Sequence, residues 1–497
     1  MPKEATTFEL ALPERDAETP AYRWLYASLR AAILEGRLRA GAQLPATREL
    51  AAQYGLSRGT IVRAFEELKS EGYLEGSMGS GTYVRRVLPE DLLHARRSSS
   101  AAATTTDRRR LRLSDYGSRV CSFPGTESRL TRAFRANLPA LDLFPTTIWA
   151  QIATRRWRTA SAKLLSSGEP MGFRPLRVAV SDYLNASRGV NCAPEQVAII
   201  AGVQGAIDLV ARLLLNPGDR VYMENPGYIG AEMIFNALGA KIAAAPVDDE
   251  GIALDAAALR GVRLIYVTPG HQFPLGVVMS LARRLALLER ARRVGAFVLE
   301  DDYDSEYRYL GGPLPSLQGL DRGQVVIFAG SFSKVLFPSL RLGYVVLPAA
   351  LTERFAAAIS MTARHAPLPE QAILSDFITE GHFGRHLRRM RQVYAERSAE
   401  LFDAARQELK GLLEIPPIEA GLQTVGWLCE GVNAAAAAKA AANRGVEVTP
   451  LTFCTRGRVR HEGLQLGFAA LDKREIRRGA RQLAIALRDR FQAGNNS

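Results

Sequence analysis

Apolar residues recur along this chain with three successive rhythms, and each predicts a different kind of structure. Between Tyr22 and Gly36 the positions Trp24, Leu25, Leu29, Ile33 and Leu34 fall at three-to-four spacing, which predicts a helix that Gly36 stops. Residues 46–54 predict a second helix with Thr47 as its N-cap. Gly55 breaks the chain, and Ser57 caps a third helix over 58–70 whose Ile61, Val62, Phe65 and Leu68 share a face. Two short helices joined by a three-residue, glycine-containing turn have helix-turn-helix spacing. Residues 72–84 then alternate around a glycine-rich tip and predict a two-stranded wing.

Periodicity disappears over 87–137, where Arg96-Arg-Ser-Ser-Ser-Ala-Ala-Ala-Thr-Thr-Thr-Asp-Arg-Arg-Arg110 is low in complexity and basic, the composition of a flexible linker. Such a run is solvated or touches DNA non-specifically. The third rhythm occupies 138–490. Continuously apolar runs at 197–201, 220–224, 241–246, 264–268, 296–300, 325–329 and 344–347 alternate with helical patterns such as 204–215 and 281–294. Buried parallel strands read this way, and their carboxyl ends collect ligand groups. The last hundred residues, with the alanine-rich run at 434–442 and short strands in GVEVTPL and GLQLGFAAL, predict a smaller terminal subdomain.

Composition narrows the setting. At 497 residues the chain exceeds one ordinary core, and roughly 150 residues per domain gives two to four units. A net charge of +13 makes a polyanionic partner plausible, and residues 22–86 hold ten Lys plus Arg against six Glu, a net of +4. Cys121, Cys192, Cys429 and Cys454 are far apart, with no CxxC pair or histidine cluster, so neither a metal site nor a disulfide framework is expected. Residues 1–20 carry acids and prolines and read as a mobile arm. With no secretory core and no membrane span, a cytoplasmic protein is expected.

The candidate chemistry centres on Gly330-Ser-Phe-Ser-Lys-Val-Leu-Phe-Pro-Ser-Leu-Arg-Leu-Gly-Tyr344. Lys334 follows an apolar strand, Ser331 and Ser333 stand beside it and Arg341 lies seven residues on. That suits a lysine bonded to an aldehyde cofactor whose phosphate needs hydroxyl and guanidinium donors. Other strand ends hold the remaining parts: Asp301 for a ring nitrogen, Tyr303 for a ring oxygen, Tyr228 for stacking, His271 at a further strand end, and Ala201-Gly-Val-Gln-Gly205 as a helix N-terminus for phosphate. Each alone has an ordinary structural role; Asp301 caps a helix as readily, and Tyr228 fills a core.

Two resemblances are carried by these residues. LPATRELAAQYGLSRGTIVRAFEELKSEGYLEGSMGSGTYV resembles the winged-helix DNA-binding domain of GntR-family transcription regulators. By that resemblance Arg48, Arg58, Thr60 and Arg63 contact DNA with Gly79 of the wing nearing the minor groove; Ser57 lies at the same recognition-helix end. ENPGY, TPGHQFPLG, EDDYDSEYRY and GSFSKVLFPSLRLGY resemble the fold-type-I aminotransferase domain of the MocR subfamily of those regulators. The implied fold is a winged helix-turn-helix joined to an α/β fold-type-I transferase domain with a mostly parallel sheet and a small C-terminal α/β subdomain. The implied cofactor is pyridoxal 5'-phosphate, held by Lys334, Asp301, Tyr303 and Tyr228, with the backbone of Val203 and Gln204 and with Ser331, Ser333 and Arg341 at the phosphate. A homodimer is implied in the same way.

Two departures separate the chain from the enzymes of that fold. TPGHQFPLG replaces their asparagine-containing loop, so His271 stands where an asparagine serves. Gln465-Leu-Gly-Phe468 lacks the arginine that takes a substrate carboxylate, leaving Arg456, Arg458, Arg460 or none for an effector. The reading is therefore a regulator that binds a double-stranded DNA operator and senses the cofactor, alone or with an amine or amino acid. The alternatives are an active aminotransferase with an attached DNA module and a cofactor-free dimerisation scaffold.

Overall fold

In the computed structural model the chain divides into two compact units, Met1–Leu111 and Arg112–Ser497. The structure describes residues 12–13, 15–16, 19–77, 81–86, 112–121, 132–311, 315–457, 459 and 461–494.

The first unit holds helices α1 (Ala21–Leu34), α2 (Thr47–Tyr54) and α3 (Arg58–Ser70) and strands β1 (Gln43–Leu44), β2 (Leu74–Ser77) and β3 (Gly81–Val84), in sheet order β1-β3-β2. Leu25, Leu29 and Ile33 of α1 close on Leu50 of α2 and on Ile61, Phe65 and Leu68 of α3. Leu34, expected on the same face, is exposed: Ile33 in the same turn is buried, and one residue on the helix has rotated by about 100° away from the core. Gly55 ends α2 in the left-handed region at φ 64°, the conformation that glycine adopts without strain. Ser57 caps α3 as expected, its hydroxyl accepting from Thr60 N at 3.1 Å. The cap of α2 differs: Thr47 is already helical and Ala46 is the N-cap. The N-cap has no side-chain acceptor; instead the Glu49 carboxylate reaches back and accepts from Ala46 N at 3.2 Å. The arm expected over 1–20 is held near its end, where Leu12 packs on this core and Trp24 Nε1 donates to Pro13 O at 3.0 Å.

In the second unit, strands β4 (Val197–Ile200), β5 (Arg220–Asn225), β6 (Lys241–Asp248), β7 (Gly251–Ile252), β8 (Val262–Val267), β9 (Phe297–Asp302), β10 (Val326–Ser331) and β11 (Gly343–Val346) form one sheet, ordered β4-β11-β10-β9-β8-β5-β6-β7. The pairs β10/β9, β9/β8, β8/β5 and β5/β6 are parallel; β11 runs antiparallel to both its neighbours. Strands that point the same way end at the same edge, so the carboxyl ends of β4, β5, β8, β9 and β10 come together. Alternation along each strand feeds two cores. Leu299 and Tyr266 join the cluster under the helices Val203–Leu214 and Ile229–Ala237, while Val298 and Ile265 join the one under Leu281–Val294.

Strands β12 (Leu413–Glu414), β13 (Gln423–Leu428), β14 (Thr449–Pro450) and β15 (Gly463–Gly467) make a separate antiparallel sheet, ordered β12-β13-β15-β14, packed with the helices His382–Glu408, Ala434–Ala442 and Lys473–Gly494. Only two residues of GVEVTPL pair as a strand. The region expected as linker over 87–137 is not uniform: residues 112–121 and 132–137 belong to the second unit, with a short helix at Asp115–Arg119. Among the described residues no helix is long and apolar enough to cross a membrane.

Candidate functional site

A cavity of about 200 Å³ opens at the shared strand edge of the second unit. Period-two alternation puts residue 301 on the same face of β9 as Leu299, toward the helices Val203–Leu214 and Ile229–Ala237. Asp301 is buried there; Tyr266 of β8 donates to its Oδ2 at 2.6 Å, and Oδ1 is buried with no partner. Burial raises the Asp301 carboxyl to about 7. Its sequence neighbours have other roles: Glu300, on the opposite face, accepts from Leu317 N and Gln318 N at 2.9 Å each, and Asp302 pairs with Arg188 at 2.6 Å.

Lys334 comes from the loop after β10. Its Nζ donates to the Asn137 carbonyl at 2.9 Å, and Asn137 N is held in turn by Gln423 Oε1 at 2.8 Å. Burial lowers the Lys334 amine to about 8, with Asp304 and Asp301 opposing the shift. The walls are aromatic. Tyr228, at the N-cap of Ile229–Ala237, packs edge-on against Phe273 at 5.5 Å, and Phe273 packs edge-on against Tyr303 at 6.0 Å. Burial raises the Tyr228 and Tyr303 phenols above their ordinary range, which keeps both as proton donors.

His271 lies behind Tyr303. Its Nδ1 meets Asp304 Oδ1 at 2.9 Å and Tyr303 Oη at 3.0 Å. A carboxylate can only accept, so Nδ1 carries the proton toward Asp304 and cannot accept from Tyr303; the phenolic hydrogen is left for the cavity. The space that the imidazole fills is bounded by Gly421, where a Cβ would overlap its Cε1.

One side of the site is backbone. Gly202, at φ 84°, precedes the helix Val203–Leu214, whose first N–H groups have no partner within the helix. Arg341 sits over it, its Nη2 at 3.3 Å from where a Gly202 Cβ would lie. Ser331 Oγ accepts from Ser333 N at 3.1 Å on the adjoining turn. A helix N-terminus, a guanidinium and hydroxyls form an anion site. Close packing of glycines makes it: a Cβ on Gly343 would stand 2.9 Å from Gly330 O and 3.3 Å from Gly202 Cα.

Of the residues expected at a cofactor, Val203, Tyr228, Asp301, Tyr303, Ser331 and Lys334 line this cavity. Gln204, Ser333, Arg341 and His271 stand behind that lining. Asn137, Tyr266, Thr268 and Phe273 line it too without having been singled out. Tyr266 had a signal, since a phenol within an apolar strand needs a partner for its hydroxyl. Below Thr268 lies another unforeseen acid: Glu224 accepts from Thr268 Oγ1 at 2.7 Å, and burial raises it to about 7. Arg456 is turned to Glu232 at 3.1 Å, while Arg458 and Arg460 lie outside the described residues. No group of three or more metal-ligating side chains occurs among the described residues.

A phosphorylated pyridine aldehyde fits these residues on the evidence of the orphaned Oδ1. A buried acceptor without a donor is costly, and it stands in a cavity that also holds a lysine amine, aromatic faces and an anion site.

In the first unit, Arg48 and Arg58 are exposed at the starts of α2 and α3. Arg63, also exposed, lays its guanidinium 3.9 Å over the Tyr22 ring. Ser57 and Thr60 share a hydroxyl contact of 2.8 Å at the exposed N-terminus of α3. Gly79 lies outside the described residues.

Comparison with known proteins adds names to both units. Residues 21–84 match the gntR family of bacterial regulatory proteins, and residues 134–483 match the aminotransferases of class I and II. The chain is 40% identical to the probable rhizopine catabolism regulatory protein MocR of Rhizobium meliloti, with 95% of each covered. It is 30% identical to the HTH-type pyridoxine biosynthesis transcriptional regulator PdxR of Corynebacterium glutamicum, covering 90% of this chain and 92% of that one. Among solved structures, the α-aminoadipate aminotransferase LysN of Thermus thermophilus, complexed with N-(5'-phosphopyridoxyl)-L-leucine, superposes with a TM-score of 0.68 at 30% identity, covering 73% of this chain and 93% of that one.

Proposed function

This chain belongs to the MocR group of gntR-family regulators, a gntR-type helix-turn-helix domain followed by an aminotransferase class I and II domain, and from that premise we propose how it works. It is a transcription regulator that binds a double-stranded operator through residues 21–86 and pyridoxal 5'-phosphate through the second unit, whose cavity Asn137 lines beside residues of 138–490. The cofactor, alone or with an amine or amino acid, shifts the balance between DNA-binding geometries. The observation that carries this reading is the unpartnered Asp301 Oδ1 in a cavity that also holds Lys334, on a chain whose other unit carries a helix-turn-helix.

The bound cofactor supplies an aldehyde carbon for an amine and a ring that draws electrons from it. Asp301 gives its open oxygen to the ring nitrogen and so keeps a proton there. Tyr228 offers a flat face, and Tyr303 donates to the ring oxygen. The N-terminus of Val203–Leu214, with Gln204, Ser331, Ser333 and Arg341, takes the phosphate; His271, held by Asp304, packs behind the Tyr303 ring at 5.8 Å. Lys334, with its amine at about 8, is neutral and nucleophilic in an appreciable fraction near neutral pH. A homodimer in the cytoplasm belongs to the same reading.

One observation favours a second reading, an active aminotransferase: an amine at about 8 is matched to proton transfer. Gln465, in place of the carboxylate-binding arginine, weighs against it. The deciding experiment measures DNA binding by the purified chain with pyridoxal 5'-phosphate present and absent, beside turnover of amino donors with a keto acid. Sequence-selective binding that the cofactor alters supports the regulator. Absence of any sequence preference at moderate salt, with turnover at enzyme-like rates, supports the alternative.

A further inference from the structure

The segment Ser114–Val120 is a short polar stretch that precedes the second unit's cores, and it is docked. Ser114 Oγ caps the helix Asp115–Arg119 by accepting from Gly117 N at 3.0 Å. Two side chains then reach in different directions. Tyr116 accepts from Arg212 Nη2 at 3.1 Å, and the guanidinium lies 5.0 Å from its ring centroid. Arg119 Nε donates to Ala237 O at 3.1 Å. Gly239 leaves it room, since a Cβ there would come within 3.1 Å of Arg119 Nη2.

These two contacts share a geometry. Arg212 lies in the last turn of Val203–Leu214, and Ala237 is the last residue of Ile229–Ala237, where carbonyls have no partner within the helix. The opposite ends of the same two helices build the cofactor site: Val203 and Gln204 begin one, and Tyr228 caps the other. The helices are also tied to each other. Gln204 Nε2 donates to Gly230 O at 3.3 Å, and Ile207, Val210, Ala211, Ala231 and Phe235 share one core. With a rise of 1.5 Å per residue, the first helix carries a displacement at Val203 over roughly 17 Å to Leu214. Upstream of residue 112 the chain leads to the DNA-reading unit.

We propose that Ser114–Val120 is a docking strap that couples the cofactor site to the linker. Binding at the N-terminal ends of the two helices fixes their C-terminal ends, and with them the seat of Tyr116 and Arg119. The strap's contacts are few and partly exposed, so seating responds to small changes in helix position.

This proposal rests on the cofactor reading given above, and one experiment separates the two. Hydrogen exchange of the full-length chain is followed with and without pyridoxal 5'-phosphate, beside its absorption spectrum. The cofactor is expected to slow exchange in 203–214 and 229–237, and by about fivefold or more in 114–120. In a Tyr116→Ala, Arg119→Ala double variant the visible band and the protection of both helices persist, while the response of 114–120 is lost. The cofactor's effect on affinity for a DNA fragment selected with the wild-type chain falls from about tenfold to about twofold or less. Tyr116→Phe, which keeps the ring under Arg212, retains most of the coupling.

Protected helices with no response at 114–120 in the wild type overturn the strap and leave the cofactor reading standing. So does a double variant that keeps the full cofactor effect, whereas wild-type DNA affinity that ignores the cofactor overturns the strap and the regulatory reading together. A wild-type chain without a visible band overturns both.

Discussion

Tyr266 donates to Asp301 Oδ2 at 2.6 Å, and Oδ1 of the same carboxylate is buried with nothing to accept from. An asparagine at 301 keeps an acceptor for Tyr266 and removes a buried charge that Lys334 offsets only in part. Asp301→Asn is therefore expected to stabilise the cofactor-free protein by about 1–3 kcal/mol at pH 8 and to weaken cofactor binding at least about tenfold. The pH dependence has a definite sign. Burial raises the folded-state carboxyl from 3.8 to about 7, so wild-type stability falls as pH climbs through that window. The variant's advantage is absent below it and complete above. Thermal unfolding from acid to mildly alkaline pH checks this, and a variant no more stable at pH 8 refutes it.

On the proposed reading, the Lys334 amine, brought down to about 8, should set the rate of cofactor uptake. Only the neutral amine attacks an aldehyde, so the association rate should climb about tenfold per pH unit below 8 and flatten above it. A solvated lysine would go on rising toward its ordinary range. Stopped-flow absorbance measures the profile, and Lys334→Ala should show no visible band at any pH.

Crowding at Gly421 can be separated from backbone strain. Its φ is 86°, and a Cβ there would overlap His271 Cε1 and stand 2.9 Å from Asp304 Oδ2. Gly431 has the same φ of 86° with open space around it. Gly431→Ala should cost about 1 kcal/mol from conformation alone, whereas Gly421→Ala should cost about 2–4 kcal/mol and lower cofactor occupancy. Equal losses in chemical denaturation would mean that the His271–Asp304 pair has slack.

At the recognition helix, Arg58→Ala and Arg63→Ala should each reduce the slope of log affinity against log salt by about one if each releases one phosphate-bound counterion. Arg63 lies 3.9 Å over the Tyr22 ring, so Tyr22→Ala should weaken binding without changing that slope much. Ser57→Ala removes the acceptor for Thr60 N and should cost the first unit about 1 kcal/mol in stability. Salt titrations on a selected DNA fragment, with thermal melts of each variant, distinguish the charge effect from the cap.

Much of this architecture was legible because strand ends announce themselves. An apolar run followed by Asp301, or by Ser331 and Lys334, places a polar group at the edge of a parallel sheet, and the structure assembles those groups around one cavity. Asn137 was invisible for a physical reason: it acts through its carbonyl, and backbone function has no side-chain signature. Tyr266 passed as one more apolar strand residue. Thr47 read as a cap because a hydroxyl before a helix usually is one, yet the helix begins at Thr47 and the side chain that closes its start is Glu49, which accepts from Ala46 N. The helix Asp115–Arg119 is too short for periodicity, and its partners lie about a hundred residues away in sequence.

Where Gly202, Gly330 and Gly343 meet, main chain rests on main chain. A Cβ at 343 would press on Gly330 O and Gly202 Cα, one at 330 would strike the Tyr344 ring, and one at 202 would meet the Arg341 guanidinium. The glycine floor is a fixed datum for the chamber: it sets how closely the helix end at Val203 can approach the turn that carries Lys334.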